Sequence, residues 1–275
     1  MNIQEHRLRS DNGSPIAFRE SPNVGGALDP SYLVVHFTAG ANAESSVKWL
    51  TNKTARASAH VVIARDGTVT QLVPFDRVAW HAGASRWNGL TGLNRHSIGI
   101  ELDNAGRLTR QGGRWRAWFG GNVPDDEVME ATHKNETEAC GWHLYTPEQV
   151  EATLEVSRGI LGAYPRIRDV LGHDDISPGR KTDPGPAFPL GSLRGHLFGR
   201  AEDRAPAFET ITALNIRRGP GTQHESLPVS PLPNGTRLDV LREQGSWRFV
   251  DVVGTVGGEG DIQGWVHGRY VKPVD

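Results

Sequence analysis

Three side chains that can bind a metal lie in two separate stretches of this sequence. His36 ends an apolar run, LVVHF, whereas His173 and Asp183 lie in the Gly- and Pro-rich stretch LGHDDISPGRKTDPGPAF. Two imidazoles and one carboxylate are typical of catalytic zinc, because such a set leaves a fourth coordination position for water. Each residue alone has a more ordinary interpretation, as a buried structural histidine or a turn residue.

Two further charged residues have the chemistry that hydrolysis requires. Glu101 lies on the polar side of the alternating run HSIGIELDN, and Lys181 lies in the same stretch as His173 and Asp183. A carboxylate can take a proton from water, and an ammonium group can stabilise a developing oxyanion. A strand-edge ion pair for Glu101 and a solvated side chain for Lys181 are the alternatives that the residues alone leave open.

The elements that must position these residues indicate one α/β domain. SYLVVHFTAG is a short apolar run that ends in glycine and predicts a buried strand, and HSIGIELDN predicts a second strand. Two β-branched runs flank Arg65-Asp66-Gly67 and predict a hairpin. In AESSVKWLTNK, Val47 and Leu50 have helical spacing.

The clearest helix is predicted at YTPEQVEATLEVSRGILGAY. Thr146 is the expected N-cap, Pro147 the first helical residue, and Gln149 the partner in a capping box. Apolar spacing predicts that the helix buries one stripe, which consists of Val150, Leu154, Ser157 and Leu161.

The composition divides the chain into two domains. Strands and helices alternate through residues 1–200, with an insertion rich in Gly, Trp and charge at about 103–145. A polar, Pro-containing linker is predicted at 201–208. Residues 209–275 are short apolar runs between Gly and Pro turns, which predict a small all-β barrel.

The overall composition excludes several classes of protein. The 30 Lys and Arg against 32 Asp and Glu give a net charge of −2, without the basic excess of a nucleic-acid-binding protein. The single cysteine, Cys140, excludes an internal disulfide and a multi-thiolate zinc site. We expect no membrane span and no secretory signal, because no window approaches about 18 apolar residues and MNIQEHRLRSDNGSPIAF lacks an apolar core.

Five segments together resemble the zinc-dependent N-acetylmuramoyl-L-alanine amidases of type 2, which share their fold with peptidoglycan recognition proteins. VVHFTAG, SAHVVIARDG, AWHAG, LNRHSIGIELDN and LGHDDISPGRKTDPG occur in the order and spacing of that family, over roughly residues 25–198. The resemblance implies a mixed central sheet flanked by helices. It also implies hydrolysis of the amide bond between N-acetylmuramic acid and L-alanine of peptidoglycan.

The family's site residues carry over onto this sequence. One Zn²⁺ per chain would be held by His36, His173 and Asp183. Glu101 would take a proton from water and return it to the L-alanine amine, and Lys181 would stabilise the tetrahedral oxyanion. Relatives that merely recognise peptidoglycan typically lose a ligand, whereas this chain keeps all three.

Other motif positions receive predicted roles from the same resemblance. Trp80, His81 and Asn94 are expected to contact substrate, with Trp87 as a further groove wall. Some relatives have a tyrosine where this chain has Ala59, so Glu101 is the only obvious base. His60 is expected to be structural. No role is predicted for His96, His133 and His143, and Asp169, Asp174 and Asp175 are assigned to turns and caps.

The C-terminal region is similar to bacterial SH3-like domains, which commonly accompany cell-wall hydrolases. The resemblance rests on Leu214-Asn215-Ile216-Arg217, Gly219-Pro220-Gly221, Gly245-Ser246-Trp247 and Gly264-Trp265-Val266. It implies cell-wall binding, with a barrel that only packs on its neighbour as the alternative.

Three alternatives to this function stay open. One is a peptidoglycan-binding or sensing module without turnover, and another is a hydrolase of a peptide bond within the stem. The third is an amidase for soluble anhydromuropeptides in wall recycling, which would act in the cytoplasm. We expect action at the bacterial cell wall, in the periplasm or outside the cell. Lysis as by a phage endolysin, a dedicated secretion machine or a trimmed leader would then explain the absence of a visible signal.

Overall fold

The computed structural model describes residues 1–199, 208–259 and 262–274. The chain forms two compact units, Met1–Phe198 and Gly199–Asp275. Residues 201–207 of the predicted linker lie outside the described residues, and Phe208 begins a strand of the second unit rather than ending a linker. No helix in the described ranges is long and apolar enough to cross a membrane.

The first unit contains seventeen strands and four helices among its described residues. In chain order they are β1 (Asn2–Gln4), β2 (Arg7–Arg9), β3 (Ala17–Phe18), β4 (Val24–Ala27), β5 (Tyr32–Phe37), α1 (Ala43–Leu50), β6 (Val61–Ile63), β7 (Val69–Gln71), β8 (Arg77–Ala79), β9 (Arg86–Trp87), β10 (Leu90–Thr91), β11 (Ser97–Leu102), β12 (Arg107–Gln111), β13 (Arg114–Arg116), β14 (Asn122–Val123), β15 (Val128–Thr132), β16 (Ala139–His143), α2 (Pro147–Ala163), β17 (Asp169–Gly172), α3 (His173–Ile176) and α4 (Leu190–Phe198). Short 3₁₀ helices lie at Lys53–Ala55, Leu93–Arg95 and Asp125–Glu127.

A six-stranded mixed sheet forms the centre of this unit, in the order β17-β5-β11-β6-β7-β3. β17, β5, β11 and β6 run parallel to one another. β7 returns antiparallel to β6 through the hairpin predicted at Arg65-Asp66-Gly67. Helices α2 and α4 pack on one face of the sheet, and α1 packs on the other. The predicted fold class of a mixed sheet flanked by helices is confirmed.

Helix α2 begins as predicted but buries a different stripe. Thr146 and Gln149 form both bonds of the capping box. Of the four residues predicted to be buried, only Ser157 is. The buried positions are Gln149, Ala152, Thr153, Val156, Ser157 and Ile160. Gln149 sets this rotation, because its Nε2 donates to the carbonyl groups of Ile63 at 3.3 Å and Asp103 at 2.8 Å.

The insertion at 103–145 folds into a sheet of its own, which the sequence did not predict. Its five strands are antiparallel, in the order β14-β13-β12-β16-β15. A small core of Ala105, Leu108, Trp115 and Ala117 lies beneath it. Gly141 is required there, because a Cβ at this position would lie 2.7 Å from the Trp115 ring.

The second unit is all-β, as predicted. Its strands are β18 (Phe208–Thr210), β19 (Arg237–Gln244), β20 (Trp247–Val252), β21 (Gln263–His267) and β22 (Val271–Pro273), and a 3₁₀ helix lies at Gly268–Tyr270. They form one antiparallel sheet in the order β21-β20-β19-β18-β22. Its core contains nine buried apolar residues, Leu214, Ile216, Leu232, Leu238, Val250, Val252, Ile262, Val266 and Val271. Burying each of these side chains contributes about 1.5–3 kcal/mol before the loss of conformational entropy is counted.

Candidate metal centre and active site

Three of the predicted site residues lie side by side at the carboxyl ends of neighbouring parallel strands. Glu101 on β11 is paired in register with His36 on β5. On the other side of β5, Gly172 at the end of β17 pairs with Val35. His173 therefore follows β17 directly beside His36. This edge of a parallel sheet is where open α/β folds generally place their ligands.

The side chains of His36, His173 and Asp183 converge on one point. The two Nδ1 atoms lie 2.9 Å apart. Oδ2 of Asp183 lies 2.8 Å from Nδ1 of His36 and 2.9 Å from Nδ1 of His173. All three side chains are buried. Among the described residues, this group has the donor atoms and the spacing that hold a metal ion.

Hydrogen bonds to the other ring nitrogens fix the tautomers of both imidazoles. Nε2 of His173 lies 3.1 Å from the carbonyl oxygen of Ala82, which only accepts. Nη2 of Arg180 lies 3.3 Å from the same nitrogen but donates to the carbonyls of Ala82 and Ala84 at 3.0 and 2.8 Å, so we assign the proton to Nε2 of His173. Nε2 of His36 donates to Nδ1 of His81 at 3.0 Å, because Nε2 of His81 in turn donates to the carbonyl of Ser97 at 3.3 Å. Two nitrogen lone pairs and a carboxylate oxygen therefore face one another, an arrangement that a cation stabilises.

His81 and Asn94, which are predicted to contact substrate, make contacts that position His36 and His173. The His81 ring is buried against Gly99, where an added Cβ would lie 2.4 Å from its Cγ atom. Oδ1 of Asn94 accepts from the backbone N–H of His81 at 3.0 Å and from the next N–H at 2.6 Å. These contacts orient the turn whose carbonyl lies against Nε2 of His173, and the substrate contacts of His81 and Asn94 stay predictions.

The two tryptophans predicted to line a substrate groove differ in exposure. Trp80 is 37% exposed, and its backbone N–H donates to Oγ of Ser58 at 2.9 Å, which fixes the end of β8. Trp87 is only 8% exposed, and a place for it in a groove wall stays a prediction. A substrate contact through Trp80 stays a prediction.

One carboxyl oxygen of Glu101 is buried, and the pKa of the group is raised. This oxygen, Oε2, has no hydrogen-bond partner among the described residues. Burial and then the negative charge of Asp183 raise the pKa of Glu101 to about 8, against the opposing effect of Lys181. A carboxyl group beside a metal-ligand set and perturbed in this way is a candidate acid–base catalyst.

The ligand side chains have the protonation states that metal binding requires. Burial and then the charge of His173 lower the pKa of His36 to about 4. Burial alone would raise the pKa of Asp183, but its contacts with His173 and His36 outweigh burial and bring that pKa below its usual range. At neutral pH, His36 is a neutral imidazole and Asp183 a carboxylate, the forms in which both bind metals.

Three consecutive residues of the insertion bind the loop that carries His173. Nε2 of His133 lies 2.9 Å from Oδ2 of Asp174. Nζ of Lys134 lies 2.9 Å from Oδ1 of Asp174 and 2.5 Å from Oδ1 of Asp175. Nδ2 of Asn135 donates to the carbonyl of Asp174 at 3.2 Å. We call His133, Lys134 and Asn135 the clamp.

The clamp acts on the backbone that connects two metal ligands. The N–H of Asp174 donates to the carbonyl of Asp183 at 2.8 Å, so holding Asp174 also holds the neighbourhood of both ligands. Neither residue is predicted to make this contact, since His133 has no predicted role and Asp174 is assigned to a turn. No periodicity or spacing signals this pair, because the contact joins residues 41 apart in sequence.

Two other histidines are buried structural residues. His60 behaves as predicted, since Nε2 donates to the carbonyl of Arg77 at 2.9 Å and Nδ1 accepts from the N–H of Gly99 at 3.0 Å. Burial lowers the pKa of His60 to about 4. His143, expected at the surface or within the insertion without a task, is buried and lies 3.2 Å from Oε2 of Glu127.

Comparison with known proteins gives two family matches. The N-acetylmuramoyl-L-alanine amidase family matches residues 26–186, and the bacterial SH3 domain family matches residues 212–272. Among curated relatives, 1,6-anhydro-N-acetylmuramyl-L-alanine amidase AmpD of Escherichia coli is 36% identical over 140 residues, which are 50% of this chain and 57% of AmpD. N-acetylmuramoyl-L-alanine amidase AmiD of Escherichia coli is 34% identical over 179 residues, which are 62% of this chain and 54% of AmiD.

Solved structures include similar chains. A crystal structure of a selenomethionine derivative of AmpD has 27% identity and a TM-score of 0.49, with 72% of this chain and 99% of that chain covered. A complex of Escherichia coli AmiD with anhydro-N-acetylmuramic acid-L-Ala-D-γ-Glu-L-Lys has 29% identity and a TM-score of 0.48, with coverage of 69% and 68%. The chain spans about half the length of the curated relatives that it matches. The family match covers more than half of the chain, and the protein therefore belongs to the N-acetylmuramoyl-L-alanine amidase family.

Proposed function

We propose that this protein is a zinc-dependent amidase that cleaves the bond between N-acetylmuramic acid and L-alanine in peptidoglycan. One observation carries the proposal: the ligand atoms of His36, His173 and Asp183 converge beside Glu101, whose buried Oε2 has no partner among the described residues. Family membership supports the reaction class, and the relatives AmpD and AmiD are named as amidases of this type.

The residues at the centre fit zinc. Two imidazole nitrogens and one carboxylate oxygen form a tripod, which leaves a fourth position for water or substrate. Ala82 and His81 fix the tautomers in which the lone pairs of His173 and His36 point inward. Zinc bound at this position would supply a Lewis acid that polarises the scissile carbonyl and lowers the pKa of water to about 7.

Glu101 is the residue that moves the proton in this proposal. The carboxylate form of Glu101, whose pKa is raised to about 8 by burial and by Asp183, would be favoured by a cation on the adjacent ligands. The carboxylate takes a proton from the attacking water, whose oxygen forms a bond to the lactyl carbonyl carbon. When the carbon–nitrogen bond breaks, Glu101 returns that proton to the leaving amine of L-alanine, and the carboxylate is regenerated.

Lys181 is proposed to stabilise the oxyanion that forms on the carbonyl oxygen. Its charge is close enough to the centre to lower the pKa of both Glu101 and His36. A fixed positive charge that meets a developing negative charge lowers the barrier more than it favours the neutral substrate. Lys181 therefore acts on the transition state rather than on substrate binding.

Intact cell wall is the proposed substrate and the cell wall the proposed place of action. The match of residues 212–272 to bacterial SH3 domains supports an attachment to the wall polymer. Similarity to a relative named for 1,6-anhydro-N-acetylmuramyl-L-alanine supports soluble anhydromuropeptides as a second candidate substrate. A binding module without turnover is disfavoured, because a buried and unpaired carboxylate beside a metal site is costly and serves no binding purpose.

The test is incubation of the zinc-loaded chain with purified sacculi and, separately, with soluble anhydromuropeptides. We expect free stem peptides with an L-alanine N-terminus, detected by mass spectrometry. Release of peptides with any other N-terminus would assign a different bond. Protein that binds wall but releases nothing from either substrate would be a binding module, and the proposal would be wrong.

A further inference from the structure

The turn between β13 and β14 presents two aromatic rings to solvent. Trp118 is 77% exposed and Phe119 is 37% exposed, and their rings meet edge to face with centroids 6.0 Å apart. Large apolar side chains grouped at a surface commonly mark a binding site. Nε1 of the Trp118 indole donates to the carbonyl of Ala39 at 2.7 Å, which ties this ring to the segment that follows β5, three residues beyond His36.

The turn is built to hold these rings in place. The N–H of Ala117 donates to the carbonyl of Gly121 at 2.8 Å, and the N–H of Gly120 donates back to Ala117 at 2.9 Å. The Phe119 ring lies directly against Gly121, where a Cβ would approach the ring to 2.9 Å. The rings are thus preorganised, which reduces the entropy lost when a ligand binds.

A cavity of about 350 Å³ opens beside these rings. One part of its lining is Gly40 and Ala41, which follow β5, and another is 103–105, which follows β11. The insertion supplies the opposite wall, which includes Phe119 and Val123. The cavity therefore lies between the aromatic turn and the segments that follow the strands of His36 and Glu101, and neither His36 nor Glu101 lines it.

The lining of the cavity suits a neutral ligand with many hydroxyl groups. Arg65 binds Glu127 at 2.8 Å, and Glu127 contacts His143 at 3.2 Å. Asp103 adds a buried carboxyl group whose oxygens can accept from hydroxyl groups. Apolar surface from Phe119 and Val123 lies opposite these polar groups. Sugar rings combine C–H faces, which pack on aromatic rings, with hydroxyl groups that need hydrogen-bond partners.

We propose that Trp118, Phe119 and this cavity form a subsite for the glycan strand of peptidoglycan, which holds a sugar next to the muramoyl residue under attack. The proposal rests on the proposed function, because it presumes that a muramoyl group occupies the metal centre. Through this subsite, the insertion would make the enzyme prefer polymeric glycan to a substrate with a single sugar.

The experiment compares kcat/KM on solubilised uncross-linked glycan strands and on N-acetylmuramoyl-tripeptide, which has one sugar. For W118A, we expect the ratio of the two values to fall about tenfold, the usual loss when an aromatic anchor is truncated. The matched control is W49A, because Trp49 is also a strongly exposed tryptophan of this unit and lies on α1. W49A should keep the wild-type ratio.

A second variant separates ring stacking from the anchoring bond to Ala39. W118F keeps an aromatic face and loses the indole N–H, so its ratio should fall between those of the wild type and W118A. If W118A unfolds, F119A replaces it in the same comparison. A wild-type ratio in a folded W118A or F119A overturns the subsite. If the wild-type chain cleaves neither substrate, the proposed function is wrong. A wild-type ratio in the variants contradicts only the subsite and leaves the proposed function intact.

Discussion

The metal centre and the clamp both contain an imidazole buried against a carboxylate. They differ in whether one proton is enough to complete the contact between the two groups. At the centre, Nδ1 of His36, Nδ1 of His173 and Oδ2 of Asp183 lie within 2.9 Å of one another. In the clamp, Nδ1 of His133 accepts from the N–H of Asn135 at 3.1 Å, so Nε2 donates to Asp174. One proton completes the clamp, whereas the three converging atoms of the centre have the spacing of a metal site.

The contrast matters because the two carboxylates belong to the same loop. Asp174 follows a ligand histidine directly, and Asp183 lies ten residues beyond that histidine. Residue type and proximity in sequence therefore do not distinguish a metal ligand from a positioning residue. The number of converging donor atoms and the tautomers fixed by their neighbours make that distinction.

The largest predicted effect separates catalysis from metal binding. E101Q removes the carboxylate that moves the proton but keeps the shape of the side chain, so we expect turnover to fall by about 10²–10⁴. Zinc content measured by mass spectrometry should equal that of the wild type. Loss of zinc in E101Q would make Glu101 a ligand and would contradict the assignment of roles.

The second prediction compares a ligand with the clamp. H173A should abolish zinc binding in a chelator competition titration, because it removes one of three ligand atoms. H133A should weaken zinc binding by about tenfold, since it only loosens the loop that holds the ligands. H133Q retains an N–H donor and should recover most of this loss. Equal losses of zinc affinity in H173A and H133A would contradict the distinction between a metal ligand and a clamp residue.

The third prediction concerns pH and the buried imidazoles of the metal-free protein. His36 and His60 have a pKa of about 4 in the folded chain, whereas an unfolded histidine titrates near about 6.5. The unfolded state therefore binds more protons between these values, and the free energy of unfolding falls as the pH drops from about 6.5 to about 4. Each histidine contributes up to about 3 kcal/mol to this loss.

H60Q tests that prediction without altering a ligand. Glutamine can donate to the carbonyl of Arg77 and accept from Gly99, but it does not titrate. Urea unfolding at pH 7 and pH 4.5 should show a smaller loss of stability in H60Q than in the wild type. The same loss in both proteins would mean that His60 is not responsible for any part of the pH dependence.

The smallest predicted effect lies within the clamp. The side chain of Lys134 is 43% exposed, so its ion pairs with Asp174 and Asp175 are partly screened by solvent. K134A should change the free energy of unfolding by at most about 1 kcal/mol. Zinc affinity should change less than in H133A. A larger loss of zinc affinity in K134A than in H133A would mean that Lys134, rather than the buried His133, contributes most to the clamp.

Local sequence patterns were sufficient for the elements that carry the site. The apolar run ending at His36 and the alternation around Glu101 predicted β5 and β11, and the capping box predicted the start of α2. Parallel pairing in register then brings the two residues together. The resemblance to a family was needed to single out His173 and Asp183 from other polar residues of their loop.

The remaining features depend on contacts that no local pattern encodes. The His81 ring occupies space left by Gly99, and its tautomer depends on a backbone carbonyl of another strand. The sheet of the insertion and the His133 contact join segments that are distant in sequence. The buried stripe of α2 was mispredicted because hydrogen bonds of Gln149 to two strand ends, rather than apolar spacing alone, set the rotation of the helix.

The most direct test of the central claim is anomalous X-ray diffraction at the zinc edge from crystals of the zinc-loaded chain. We predict one strong anomalous peak per chain, bounded by Nδ1 of His36, Nδ1 of His173 and a carboxylate oxygen of Asp183. No peak should lie between His133 and Asp174. Absence of the first peak, or an equal peak at the clamp, would contradict the assignment of the metal centre.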